Sequence, residues 1–159
     1  MNKKPRRQDR IMDAAGIGRV LKEAPVGFLA LVSEDGSPYG IPVNYVAAHG
    51  KIYIHCAAEG RKLDCIRRDP RVSFSAMINH GVSPEKMTNY YESVVCSGRA
   101  RVIGDDYDAK KAALDLLVEK YAPGGECSFE RGSSLAARTS LIEITLEHVT
   151  GKVNLPRER

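Results

Sequence analysis

Apolar and polar residues alternate along much of this chain with a period of two, and the period lengthens to three or four at three places. The first comes at the start. Ile11, Ala15, Gly18, Leu21 and Ala24 recur at helical spacing and predict a helix over Asp9 to Ala24, which Pro25 stops. Val26 to Val32 is a short apolar run between Pro25 and the turn Ser33-Glu34-Asp35-Gly36, and it reads as a buried strand. Pro38 to Val46 follows as its hairpin partner. A tight turn at Ala48-His49-Gly50-Lys51 then leads into a third strand over Ile52 to Ala57. The second helical stretch is Gly60 to Arg68, ended by Pro70.

Arg71 to Ile78 alternates cleanly, with Val72, Phe74, Ala76 and Ile78 on one face. Asn79 to Asn89 turns polar around Gly81 and Pro84 and reads as a loop. Tyr90 to Ile103 is a long strand with Val94, Cys96, Gly98, Ala100 and Val102 facing one way. Asp105 caps the third helix, Asp106 to Tyr121, whose stripe is Ala109, Ala112, Ala113, Leu116 and Leu117. Gly124 to Arg138 reads as loop. The last strand, Thr139 to Val149, sets Ile142, Ile144 and Leu146 against Glu143, Thr145 and Glu147. Six strands with short hairpins and few helices favour a nearly closed antiparallel barrel over a parallel α/β sheet. The expectation is one mainly β domain over residues 1–159, a six-stranded antiparallel barrel with peripheral helices.

Composition narrows the class. At 159 residues and 43% hydrophobic, the chain supplies its own core and needs neither disulfide nor metal staple. Its longest strongly apolar run, Val26 to Val32, is far short of the roughly 20 residues a membrane helix needs. The start, Met-Asn-Lys-Lys-Pro-Arg-Arg, lacks the apolar segment of a secretory signal, so a soluble, cytoplasmic protein is expected. Residues 1–10 carry five cations and one acid, a surplus equal to the net charge of +4 for the whole chain. The positive charge is therefore a basic N-terminal arm (1–8) leading into a neutral body, which speaks against nucleic-acid binding. Cys56, Cys65, Cys96 and Cys127 form no Cys-x-x-Cys pair, and His49, His55, His80 and His148 have no metal-ligand spacing. No metal site is expected.

Three segments could carry chemistry. In His55-Cys56-Ala57-Ala58-Glu59-Gly60-Arg61-Lys62 a strand ends in small residues and Gly-Arg-Lys opens a helix. Free backbone N–H groups and two cations there suit a phosphate, although the segment lacks the spacing of a Walker loop. The alternative is a solvated basic helix continued by Arg67 and Arg68. Ile41-Pro42-Val43-Asn44-Tyr45 could offer a flavin ring an apolar face with backbone donors and acceptors, or be ordinary strand. Tyr90-Tyr91-Glu92-Ser93-Val94, at a strand start, is the third candidate, or reflects β-propensity alone. His55 is either a structural histidine or a proton donor beside the phosphate candidate.

Taken in order, these segments resemble the FMN-binding split-barrel proteins related to pyridoxamine 5′-phosphate oxidase, most closely the 5-nitroimidazole-resistance branch. The resemblance rests on Arg6-Arg7-Gln8-Asp9-Arg10, Asp35-Gly36-Ser37-Pro38-Tyr39, Ile41 to Tyr45, Ile52 to Ala57, Gly60-Arg61-Lys62, Tyr91 to Val94 and Thr150-Gly151-Lys152, which span nearly the whole chain. It implies a split β-barrel, a homodimer, and one FMN in each of two grooves at the subunit interface. By the same resemblance Arg61 and Lys62 hold the FMN phosphate, while Pro42, Val43, Asn44 and Tyr45 line the ring. His55, Cys56 and Ala57 flank the ring, Glu92 and Ser93 reach the groove from this chain or from the partner chain, and His55 is the candidate catalytic residue. The implied activity is reduction of small nitro- or quinone-like compounds, with NAD(P)H as a transient donor. The chain has no Trp, whereas the true oxidase carries one in its C-terminal substrate motif, so pyridoxamine phosphate oxidation is not expected. A non-catalytic flavin or haem carrier and a deazaflavin protein remain alternatives.

Overall fold

The computed structural model describes residues 6–156, so the first five residues of the expected basic arm lie outside it. After a single 3-10 turn (Gln8–Arg10), the elements run α1 (Ala14–Glu23), β1 (Gly27–Val32), β2 (Pro38–Val43), β3 (Val46–Ala48), β4 (Lys51–Ala57) and α2 (Arg61–Arg68). They continue as β5 (Arg71–Ser83), β6 (Thr88–Ile103), α3 (Tyr107–Tyr121), α4 (Ser134–Arg138) and β7 (Thr139–Asn154). All seven strands form one antiparallel sheet in the order β2-β1-β5-β6-β7-β4-β3. β2 and β3 are its two edges, yet only Asn44 and Tyr45 separate them in sequence. A sheet whose opposite edges are two residues apart must curl until those edges meet, and this closes the barrel.

The expected six strands are therefore seven. The run predicted as one strand over Pro38 to Val46 is bent at Asn44-Tyr45, and its halves pair with different neighbours, β2 with β1 and β3 with β4. Residues 79–89, expected as a loop, mostly extend the β5–β6 hairpin, with a register shift between Asn79 and Val82 and the reversal over residues 84–87. The last strand runs on to Asn154, and α4 lies in the stretch expected as loop. The first helix begins only at Ala14, because Asp13 caps it by accepting the Gly16 N–H.

The barrel interior holds Leu29, Ile52, Ile54, Phe74, Val94, Cys96, Ile142 and Ile144, all fully buried. Each large apolar side chain there contributes roughly 1.5–3 kcal/mol. Val20, Leu21 and Ala24 of α1 join this core, as do Leu63, Cys65 and Ile66 of α2. Outside the barrel, Ala113 of α3 packs with Ile103 and Leu141 over Tyr53. On that outer side Glu143 is buried between Lys51 and Arg101, with ion pairs of 3.0 and 2.6 Å.

The crossing between the edges is fixed by Tyr121. Its hydroxyl accepts the Tyr45 backbone N–H at 2.9 Å, and its single proton faces the carbonyls of Pro25 (2.9 Å) and Tyr45 (3.0 Å). The Tyr45 ring points inward, edge-on to Phe74 at 4.7 Å, with the Lys120 ammonium 3.6 Å from its centroid on another side. α1 is tied to the sheet by a charge cluster. Glu92, 2% exposed, receives both Arg19 guanidinium nitrogens and lies 2.9 Å from Nε2 of His80.

Two glycines give opposite expectations. A Cβ on Gly98, at the β6–β7 bulge, would stand 2.1 Å from the Thr145 carbonyl oxygen, so Gly98→Ala should lower stability by about 1–3 kcal/mol. A Cβ on Gly18, inside α1, meets nothing within 4 Å, so Gly18→Ala should raise stability by about 0.5–1 kcal/mol. Urea unfolding of both variants measures the contrast, and equal effects would contradict it.

The Arg19 and His80 contacts hold the Glu92 carboxyl below its usual range. A depressed carboxylate stabilises the fold fully at pH values above its unfolded pKa, and that contribution disappears as pH falls through the folded value. Glu92→Gln should cost about 1.5–3 kcal/mol at pH 7. The gap from wild type should persist down to about pH 5 and shrink below about pH 4. A pH-independent gap in urea unfolding would contradict this account of the cluster.

Candidate functional site

β3 pairs with β4 only over Lys51 to Tyr53, so the rest of β4, through Ala57, has no strand on that side. The chain of β2 enters β3 from the same direction. Pro42-Val43-Asn44 and His55-Cys56-Ala57 therefore border one open seam, each with an unpaired backbone edge. On the interior side of the seam Ile41, Val43 and Cys56 pack against the core. Burial pushes the Cys56 thiol up, against the opposing charges of Lys62 and Arg67, so Cys56 favours the neutral thiol. On the outer side stand Pro42 and His55, both exposed. The His55 imidazole makes no hydrogen bond among the described residues.

α2 begins where this seam ends. Gly60, at φ 131°, supplies a backbone that other residues resist, and no side chain caps the helix. The Leu63 N–H is taken by the Gly60 carbonyl at 2.8 Å, and among the described residues the Arg61 and Lys62 N–H groups remain available. Arg61 is held in place: Nη2 donates to the buried Ser33 Oγ at 2.9 Å, and the guanidinium stacks 4.3 Å from the Tyr39 ring centroid. Among the described residues its other N–H groups make no hydrogen bond. Lys62 makes no ion pair among the described residues. A cavity of about 780 Å³ adjoins, lined by Ser33, Glu34, Asp35, Arg61, Asp64, Cys65 and Arg68. Of the expected site residues it contains Arg61 alone.

The sheet face beside the seam carries little charge. One outward row crosses it as Pro42, Phe28, Ser75, Val95 and Thr150, and the next as Gly40, Ala30, Ser73, Ser97 and His148. Phe28 is 56% exposed and Val95 49%, with Met77 exposed beside them. Ser93 belongs to this face, between Met77 and Lys152.

The structure therefore gathers Pro42, Val43, Asn44, His55, Cys56 and Ala57 at the seam, with Arg61 and Lys62 past its end. It does not bring in the side chains of Tyr45 or Glu92. The Tyr45 ring lies in the core and its backbone groups are taken by Tyr121. The Glu92 carboxylate faces inward to Arg19 and His80, away from the face that holds Ser93. Sequence reasoning passed over Ser33 and Tyr39, which position Arg61. Each is separated from it by more than twenty residues, and no local spacing marks such a contact. Among the described residues no cluster of His, Cys, Asp or Glu could hold a metal ion, and no helix is long and apolar enough to cross a membrane.

Comparison with known proteins agrees with this architecture. A candidate 5-nitroimidazole antibiotic resistance protein from Bacteroides thetaiotaomicron superposes with a TM-score of 0.77 at 23% identity, covering 90% of this chain and 86% of that one. A flavocytochrome from Azotobacter vinelandii gives 0.82 at 18% identity, covering 96% and 73%. The FAD and heme binding protein from Mycobacterium smegmatis gives 0.77 at 21%, covering 92% and 75%. At these identities the likeness is one of fold. Among curated proteins none matches. The sequence profile of the pyridoxamine 5′-phosphate oxidase family matches residues 13–153, nearly the whole described chain, and the protein belongs to that family.

Proposed function

We propose that this protein is an FMN-dependent reductase of small nitro- or quinone-like compounds, working as a homodimer with NAD(P)H as a transient donor. The observation that carries this reading is the cationic start of α2 at the end of an open seam that borders a sheet face of little charge. Arg61, preset by Ser33 and Tyr39, and Lys62 meet the FMN phosphate together with the uncapped helix N–H groups. The donor set fits such a group: two cations and free amides for a dianion, then an apolar border of Pro42 and Val43. The unpaired edges of Val43-Asn44 and His55-Cys56-Ala57 offer N–H and C=O groups to the rim of a planar heterocycle. Bound FMN supplies the hydride chemistry, and the protein supplies binding, orientation and electrostatics.

His55 is the proton donor or substrate contact in this reading. It is exposed at the seam, and among the described residues no group bonds its ring nitrogens. The second copy packs on the face of Phe28, Ser75, Met77, Ser93 and Val95, which carries little charge beyond Lys152 at its border. That packing covers the open side of the seam and keeps water from the ring. The structures described as a flavocytochrome and as a FAD and heme binding protein support a flavin on this fold.

Arg61→Ala should weaken FMN binding by roughly 10- to 150-fold, the equivalent of about 1.5–3 kcal/mol. Quenching of flavin fluorescence on titration measures it, and a change under about threefold would remove Arg61 from the site. His55→Ala should keep its flavin while steady-state reduction of a nitroaromatic or quinone acceptor falls. Unchanged turnover would overturn the chemical role of His55.

A further inference from the structure

A second cavity, of about 660 Å³, lies between α1 and α3 beside the edge crossing. Its lining sets Pro25, Val46, Ala47, Leu116 and Tyr121 beside the charged residues Lys22, Glu23, Glu119 and Lys120. Two features mark it as more than a surface groove. Gly18 forms part of its wall, and a Cβ there would enter open space. A helix-weakening residue is thus kept where no neighbouring atom demands it, and its effect is to leave the helix backbone bare toward the groove. Gly16, two residues earlier, is different, because a Cβ there would collide with Met12.

The second feature is Lys120. Among the described residues its only hydrogen bond is a long one, 3.5 Å to the Leu21 carbonyl, and its charge rests against the Tyr45 and Tyr121 rings. It makes no ion pair with either groove acid, Glu23 or Glu119, among the described residues, and Glu23 is itself 4.0 Å from Arg19. Burial pushes the Lys120 ammonium down to about 8, as expected of a cation short of solvent and of acceptors. An under-coordinated cation in a partly apolar slot walled by an aromatic ring selects an anion with an apolar or aromatic body.

We infer that the α1–α3 groove is a ligand site separate from the seam, taking a small aromatic or apolar monoacid whose carboxylate is met by Lys120 and whose body lies over Gly18. This site does not depend on the flavin reading, since none of its residues borders the seam's cationic end. The test is calorimetric titration of the full chain with 2-naphthoate, in the presence and absence of saturating FMN, and with neutral 2-naphthamide in parallel. Wild type should bind one naphthoate per chain with or without FMN. Gly18→Leu, which fills the slot, should weaken binding at least roughly tenfold while FMN titrates as before. Lys120→Gln should weaken naphthoate by a similar factor and leave naphthamide unchanged. Should Gly18→Leu lose its cooperative melt, Leu116→Trp narrows the same slot from α3 and carries the same expectation. Absence of saturable naphthoate binding, displacement of naphthoate by FMN, or wild-type affinity in either the slot-filling or the Lys120 variant would overturn the proposal.

Discussion

Closure of the barrel depends on two residues. Asn44 and Tyr45 carry the chain from one edge of a seven-stranded sheet to the other, and so short a link forces the edges together whatever the strands between them prefer. The Tyr121 hydroxyl, reaching in from the end of α3, satisfies the backbone N–H and C=O at the crossing. Unmade, each of those buried groups would cost about 1–3 kcal/mol. The Tyr45 ring then fills the barrel against Phe74. This one joint fixes where the edges meet, and hence where they fail to pair. The open seam between β2 and the second half of β4 is a direct consequence of β3 being only three residues long.

The proposed function rests on what borders that seam. One end delivers cations and uncapped amides from α2, with Arg61 held in readiness by a buried serine hydroxyl and a tyrosine face. One side delivers a partly apolar sheet face that carries little charge. The interior is sealed by Ile41, Val43 and Cys56. Elsewhere the buried charges are spent on architecture: Glu92 ties α1 to the β5–β6 hairpin, Glu143 ties β4 to β6, and Lys110 donates to the carbonyls of Ala136 and Thr139 at the end of α4.

Much of this was legible in the sequence, and the failures have a common cause. The interior faces of β5, β6 and β7 follow from period-two alternation because one side of each strand is buried. The start of α2 was readable because Gly-Arg-Lys after a strand of small residues is a local signal. The bend at Asn44-Tyr45 was not, because it is set by which distant strand each half pairs with. Residues 79–89 looked like loop because that hairpin extends beyond the core, where exposure on both faces erases any hydrophobic pattern. Glu92 looked available to a ligand because its partners Arg19 and His80 come from other elements. The positioning of Arg61 by Ser33 and Tyr39 was hidden for the same reason.

The central claim is that flavin is held where two copies of the chain cover the seam. Sedimentation velocity of the FMN-loaded protein, followed at the visible flavin band, tests it most directly, with Val95→Glu placing a charge in that sheet face. The account predicts that flavin moves with a species of twice the chain mass in wild type, and that Val95→Glu loses dimer and bound flavin together. Flavin sedimenting at the mass of a single chain, or remaining bound to a monomeric Val95→Glu variant, would contradict it.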